Sequence, residues 1–462
     1  MRPFAVLTTL FAILALSGAS VLRGSADSTP PNIVLLLTDD QTYAEMASLP
    51  KTRELIGDHG RTYTNFFGTF PLCCPARASL QTGQYPHNHH VTTNGRRARD
   101  RWRNQQDSLG SWLSAAGYET AYVGKFDIGY NAKTPPPPGW DPAEWRAGDG
   151  GHYCGFQLHD PTTNTAKQYG TARYPCDPNF YVTDVQANVA ADVLKRRLPS
   201  PQPLFLMVGF NAPHNGIPHA PGEAKFSSVP PARYRGTYAN VPLPKPPSFN
   251  EADMTDKARR LQRPKLSEDG IATMQEAWRR KQETLMGVDD AVASIMQTLA
   301  ESGELDNTIV LFSSDNGFMN GEHRVSHGKE VPYDETIKLP LLIRGPGFPP
   351  GTVDANLRSS IDITQTLVQR TGATTTGHPL DGQPLDAPAR TELLYEGSGW
   401  SALRTNSFAY IRYTNGDQQL YDLVNDPWQL QSLHADPEYA ATLAQMKARL
   451  DAIQTCVGSA CP

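Results

Sequence analysis

The sequence predicts an α/β fold: a large, mixed, mostly parallel sheet flanked by helices, followed by a smaller C-terminal α+β unit with an antiparallel sheet. Three observations predict it. Short runs of consecutive apolar residues, such as Ile33–Leu37 and Ile309–Phe312, read as strands buried on both faces, which is the grammar of parallel strands. Between such runs lie helical patterns, the longest carrying Leu285, Val288, Val292, Ile295, Met296 and Leu299 on one face. Beyond residue 385 the grammar changes to a hairpin and a closing helix.

The chain opens with one charge, Arg2, before an apolar run from Phe4 to Leu16. Small residues follow at Ser17–Ser20 and Gly24–Ala26. This is the pattern of a secretory signal over residues 1–26, too short for a confident membrane span. The first strand, Ile33–Leu37, ends in Asp39 and Asp40. The stretch Gly68–Gly83 is a loop turning into a helix. Pro75 suits a first turn and Gly83 a stop, so Cys73 lies at or just before a helix N-terminus. Free N–H groups there favour an anion, and Arg77 adds a planar fork about one turn later.

A helix follows over Ser108–Ala116, and a strand from Tyr118 ends on Lys125. Thr134–Asp141 is a rigid proline-rich loop, and a helix runs from Tyr181 to about Leu198. The strand from Leu204 leads to His214. Residues Gly216–Lys265 read as a long surface excursion and Gln275–Ser302 as an amphipathic helix. The strand from Thr308 ends in Asp315 and Asn316. Another strand lies within Tyr333–Gly347, a helix over Ser359–Thr371, and a linker over Gly372–Ala389. The C-terminal unit, 385–462, holds a hairpin of Phe408–Tyr413 and Gln419–Leu423 about Asn415-Gly416, then a helix over Asp436–Ile453.

Charge is nearly balanced: 42 Lys+Arg against 47 Asp+Glu gives −5, with no basic excess to suggest nucleic acid. With 37 Gly and 39 Pro in 462 residues, much of the chain is loop. Two strands ending in carboxylates bring those oxygens to the carboxyl edge of one sheet, where open α/β folds place their sites. Facing carboxylates repel unless neutralised, and all-oxygen ligands suit calcium or magnesium. Taken singly, Asp39 and Asp40 would read as caps or turn residues.

Cys73-Cys74-Pro75-Ala76-Arg77, continued by Leu80, Thr82 and Gly83, resembles the C-x-P-x-R signature of the type I sulfatases, members of the alkaline phosphatase superfamily. The resemblance covers nearly everything after the signal, with a catalytic domain over 30–372. It implies that Cys73 is oxidised to formylglycine by a formylglycine-generating enzyme and that its hydrate is the nucleophile. It implies Asp39, Asp40, Asp315, Asn316 and the modified Cys73 as ligands of calcium, magnesium being an alternative. It implies Arg77, Lys125, His214, Asp315 and Lys329 as catalytic groups. His323, in Gly321-Glu322-His323, is a candidate contact. One position departs: Asp127 stands where many members have a histidine.

Tyr85-Pro86-His87-Asn88-His89-His90-Val91 looks most like the N-acetylglucosamine-6-sulfatase branch. Its histidines could suggest a transition metal, but hard-oxygen ligands favour a loop beside the site. The implied reaction is hydrolysis of a sulfate ester on a sulfated small molecule or saccharide. Alternatives are a broad arylsulfatase, a phosphoesterase of the same superfamily, and an inactive carbohydrate-binding relative.

Besides Cys73 and Cys74, four cysteines allow three pairings; the local one, Cys154–Cys176 and Cys456–Cys461, is the expectation. No Asn-x-Ser/Thr sequon occurs, which with the signal points to a bacterial secreted protein without stable membrane insertion.

Overall fold

In the computed structural model, residues 30–102, 105–148, 150–198, 200–217 and 227–462 are described; the segment read as a signal lies outside them. A ten-stranded sheet organises the chain. In spatial order its strands are Thr352–Asp354, Arg61–Tyr63, Leu341–Arg344, Thr308–Ser314, Asn32–Thr38, Leu204–Gly209, Glu119–Lys125, Trp145–Gly148, Phe156–Asp160 and Thr165–Tyr169. From Thr308–Ser314 to Trp145–Gly148 neighbouring strands run parallel. The flanking Leu341–Arg344 and Phe156–Asp160 pair antiparallel.

The Asn32–Thr38 strand shows why a continuous apolar run was needed. Val34 and Leu36 pack on one face with Val185, Leu194, Val288 and Ile295 from the Val182–Arg197 and Glu268–Glu301 helices. Ile33, Leu35 and Leu37 pack on the other with Ala78, Leu109, Leu113 and Leu367. Both faces are dry, so every side chain of the run is apolar; each is worth about 1.5–3 kcal/mol when fully buried. The register then sets the site: Thr38 lies beside Ser314, so Asp39 and Asp315 follow at the same level.

The helices fall close to expectation. Glu268–Glu301 begins several residues earlier than its apolar face suggests, because the Ser267 side chain caps it by accepting from the Gly270 N–H. The strands Trp145–Gly148, Phe156–Asp160 and Thr165–Tyr169 were not read from the sequence; they are short, and Thr165–Tyr169 is mostly exposed. Cys154–Cys176 and Cys456–Cys461 are the disulfides formed, leaving Cys73 and Cys74 as thiols.

The C-terminal hairpin is half of a four-stranded antiparallel meander, Glu392–Gly397, Trp400–Thr405, Phe408–Tyr413 and Gln418–Asp422. The Ala440–Ile453 helix closes it through Met446, Leu450 and Ile453. The segment read as a linker is pinned: Asp381 accepts from the N–H groups of Tyr85 and Gly458 and from the Asn88 side chain. The Tyr85–Val91 segment departs from the loop expected beside the site. It holds a short helix, Pro86–His89, and its histidines diverge. His87 binds Glu396 of the meander, and His89 is buried against Ser79.

Candidate active site

The Cys73–Thr82 helix starts at the carboxyl edge of the sheet and is buried throughout. Leu72 is extended and Gly83 stops the helix with φ 65°, a conformation that favours glycine. In the first turn, the Cys74 N–H donates to the Asn94 side chain at 2.9 Å. One turn on, Arg77 crosses the strand ends. Its Nε donates to Asp315 at 2.7 Å, its Nη2 lies 3.3 Å from Asp39, and its Nη1 donates to the Lys125 carbonyl. Gly209 leaves room for this: a Cβ there would stand 2.3 Å from that carbonyl and 3.1 Å from Arg77 Nη1.

The remaining groups converge on the same point. Lys125 pairs with Asp39 and lies 3.5 Å from Asp127. Lys329 pairs with Asp40 and lies 2.8 Å from Cys73 Sγ. Cys73 Sγ is also 3.5 Å from an Asp39 oxygen. Asn316 Nδ2 donates to Asp40 at 2.6 Å, and the Asp40 N–H donates to Asp315 at 3.2 Å. His214 turns Nε2 towards Asp40 at 3.7 Å, while Nδ1 lies 2.7 Å from the Asn215 carbonyl. Asp40 and Asp127 both hold left-handed backbones, φ 66° and 64°. Strain of this kind, of order 1–3 kcal/mol, clusters where side chains must be aimed.

Thus Asp39, Asp40, Cys73, Arg77, Lys125, His214, Asp315, Asn316 and Lys329 are brought together. His323 is not. It is fully buried, lies 2.6 Å from Glu251 and stacks on Tyr333, inside a packed cluster of its own. The Gly-Glu-His pattern could not reveal this, because a left-handed turn at His323, φ 48°, aims the ring inward. Asn94, Arg96, Tyr130 and Asn131 were missed. They line a cavity of about 360 Å³ with Cys73, Lys125, Asp127 and His214. Loop residues that meet only through tertiary contacts leave no spacing signal. A larger cavity of about 860 Å³, lined by Tyr43, Trp278 and Trp428, includes none of the converging groups.

The electrostatics follow from burial and neighbours. Burial pushes the Asp39 carboxyl up, but Lys125, His214, Arg77 and Lys329 together outweigh it and hold it well below the usual carboxylate range. At Asp315 burial wins, reinforced by the Asp39 charge, and the carboxyl is raised. Burial and Asp39 likewise push the Cys73 thiol up. Burial tends to discharge Lys125 and Lys329, and their acidic neighbours more than reverse it.

The donor set fits a hard divalent cation. One oxygen from each of Asp39, Asp40 and Asp315 lies within 4.8 Å of the others, and all three residues are buried. Cys73 and His214 form a second grouping with Asp39 on the same limit. The carboxylates of Asp39, Asp40, Asp127 and Asp315 outnumber the fixed cations Arg77, Lys125 and Lys329. These fixed charges alone sum to a net negative cluster, and a divalent cation reverses the sign.

Comparison with known proteins identifies the family and the fold. The family model described as "Sulfatase" matches residues 31–373. The chain is 31% identical to human N-acetylglucosamine-6-sulfatase over 97% of its own length and 89% of that protein. It is 33% identical to an extracellular sulfatase of Drosophila melanogaster over 78% of its length, but 31% of that longer protein. Among solved structures, a protein in complex with its substrate D-glucosamine-2-N,6-O-disulfate superposes with TM-score 0.73 at 20% identity, covering 91% of this chain and 97% of that one.

Proposed function

The chain belongs to the sulfatase family, and we propose that it removes sulfate from a sulfated sugar such as an N-acetylglucosamine-6-sulfate. The observation that carries this reading is a cavity at the carboxyl edge of the sheet that Cys73, Lys125 and His214 line, with Lys329 against Cys73 and Arg77 against Asp39 and Asp315 behind it. The substrate class is supported by the human relative's name and the saccharide-bound fold neighbour.

In the proposed mechanism residue 73 is oxidised from cysteine to formylglycine by a formylglycine-generating enzyme, and its hydrate supplies the attacking hydroxyl. Asp39, Asp40, Asp315, Asn316 and residue 73 would hold calcium, with magnesium the alternative, and the ion would supply positive charge beside the sulfate oxygens. Arg77, Lys125 and Lys329 bind the sulfate and neutralise charge that develops on it. Asp315 takes the proton of the attacking hydroxyl. His214, exposed by about a quarter and reaching the cavity with Nε2 free of its own loop, protonates the departing alcohol. Secretion through the N-terminal signal from a bacterial cell is part of the same proposal. Among the described residues no helix is long and apolar enough to cross a membrane.

The test is a matched assay of enzyme made with a formylglycine-generating enzyme, on N-acetylglucosamine-6-sulfate, an aryl sulfate and the corresponding phosphate esters. Release of sulfate from the sugar carries the reading. Turnover of the aryl sulfate alone overturns the substrate class, and turnover of the phosphates alone overturns the reaction.

A further inference from the structure

The cavity holding Cys73 has an unusual rim. Gly95 and Arg96 line it, and they begin the Arg96–Arg101 helix, Arg-Arg-Ala-Arg-Asp-Arg. Arg96, Arg97, Arg99 and Arg101 are all exposed, in a chain whose net charge is −5. Among the described residues none of the four makes an ion pair; Arg99 lies over the Tyr130 ring at 5.8 Å and Arg101 donates to Thr92 at 2.9 Å. Asp100, the one acid of the helix, neutralises none of them through an ion pair.

An arginine on a protein surface ordinarily finds a carboxylate or is scattered among mixed charges. Here four lie within six residues, a span of about 9 Å at 1.5 Å per residue. Ala98 anchors the helix, fully buried, and the chain beyond it packs Trp102 into the core. The guanidinium groups are therefore held at the surface by a seated element rather than on a loose tail. Arg97 and Arg101 are one turn apart on one side, and Arg96 reaches the cavity that contains Lys125. The run of arginines thus begins at the rim of the cavity.

We propose that this helix is a docking strip for a polysulfated saccharide chain, the sulfates flanking the one in the cavity being held by Arg97, Arg99 and Arg101. The inference rests on the sulfated-sugar reading above and deepens it: the preferred substrate is a sulfate ester carried on a polyanionic chain, not an isolated sulfated monosaccharide. Charge complementarity commits the strip to that partner. Planar guanidinium forks match tetrahedral oxyanions bidentately, and a cationic strip beside a pocket also raises the rate of encounter.

The test uses Arg97→Glu/Arg101→Glu, with Arg97→Lys/Arg101→Lys as the charge-keeping control; neither residue lines the cavity. One measurement is the salt concentration that elutes each protein from a heparin resin, with duplex DNA as competitor. The other is kcat/KM on a sulfated hexasaccharide and on the sulfated monosaccharide. The reversed variant should elute at lower salt and lose about tenfold in kcat/KM on the hexasaccharide through KM. Its monosaccharide rate should stay within about twofold, and the lysine variant should retain binding. The proposal is overturned if wild type is not retained, if reversal changes neither measurement, if both substrates suffer equally, or if DNA competes as well as heparin. Failure of the function reading shows separately, as absence of turnover on both sugars, while resin retention still reads the strip.

Discussion

Cys73 Sγ stands 2.8 Å from Lys329 Nζ, which favours negative charge there, and 3.5 Å from an Asp39 oxygen, which opposes it. Serine there is nearly isosteric, so Cys73→Ser should fold and keep its thermal midpoint. Its hydroxyl can accept sulfate once, but one oxygen cannot collapse to a carbonyl and expel it. The expected outcome is a burst of at most one equivalent with the mass of a sulfated serine peptide; sustained turnover at the wild-type rate would rule out the aldehyde. Asp127 makes a second test. Burial opposes its charge, yet Lys125 and Arg77 outweigh burial and keep the carboxyl low, so it stays ionised and poorly basic. Asp127→His should preserve activity at neutral pH, because an imidazole titrates there. Loss of all turnover in a folded protein would assign Asp127 a role through its ion pair with Lys125.

At the scale of one element, the Pro86–His89 helix joins the sheet body to the C-terminal meander and carries two histidines of opposite effect. Burial holds the His89 imidazole down at about 3, from an ordinary 6.5. The unfolded chain therefore binds a proton that the folded chain refuses. Stability is present above 6.5 and is lost as pH falls towards 3, by about 1 kcal/mol per unit over that range. His87 runs the other way. Burial lowers it, but the bond to Glu396 wins and raises it above 6.5, so its contribution is full below 6.5 and fades as pH rises through the raised value. In urea titrations from pH 4 to 9, His89→Gln should flatten the acid limb and His87→Gln the alkaline limb, each relative to wild type. Equal slopes in wild type and both variants would remove the helix as a source of pH dependence.

For the whole molecule, the cation proposed at Asp39, Asp40 and Asp315 ties strand ends that lie far apart in the chain. Binding to the folded state alone stabilises it by mass action, about 2.7 kcal/mol at a hundredfold excess over Kd. Adding calcium to chelator-treated protein should raise the thermal midpoint and restore activity together. A midpoint and a rate indifferent to exhaustive chelation would dismiss the ligand set. Lys125 and Lys329 already neutralise part of the carboxylate cluster, so the metal-free protein should remain folded, with native far-ultraviolet circular dichroism.

The local sequence determined the parts of this fold that depend on neighbours in the chain. Ile33–Leu37 had to be a doubly buried strand because no polar side chain interrupts it, and Leu72–Gly83 had to start and stop a helix because of Pro75 and Gly83. Most motif residues were legible for the same reason: Asp39, Asp40, Lys125, Asp315 and Asn316 sit at or just past strand ends, and Cys73 and Arg77 in the first turns of a helix. His214 and Lys329 lie in loops and were legible through the family resemblance. Tertiary structure decided what adjacency cannot encode. The register of Thr38 beside Ser314 set Asp39 next to Asp315, while a left-handed backbone turned His323 away from the site into a pair with Glu251. Asn94, Arg96 and Tyr130 line the cavity from segments outside every motif, Arg96 from the start of the Arg96–Arg101 helix. Strand and helix patterns are local, short-period signals, whereas a pocket is assembled from long-range contacts whose partners can be anywhere in the chain.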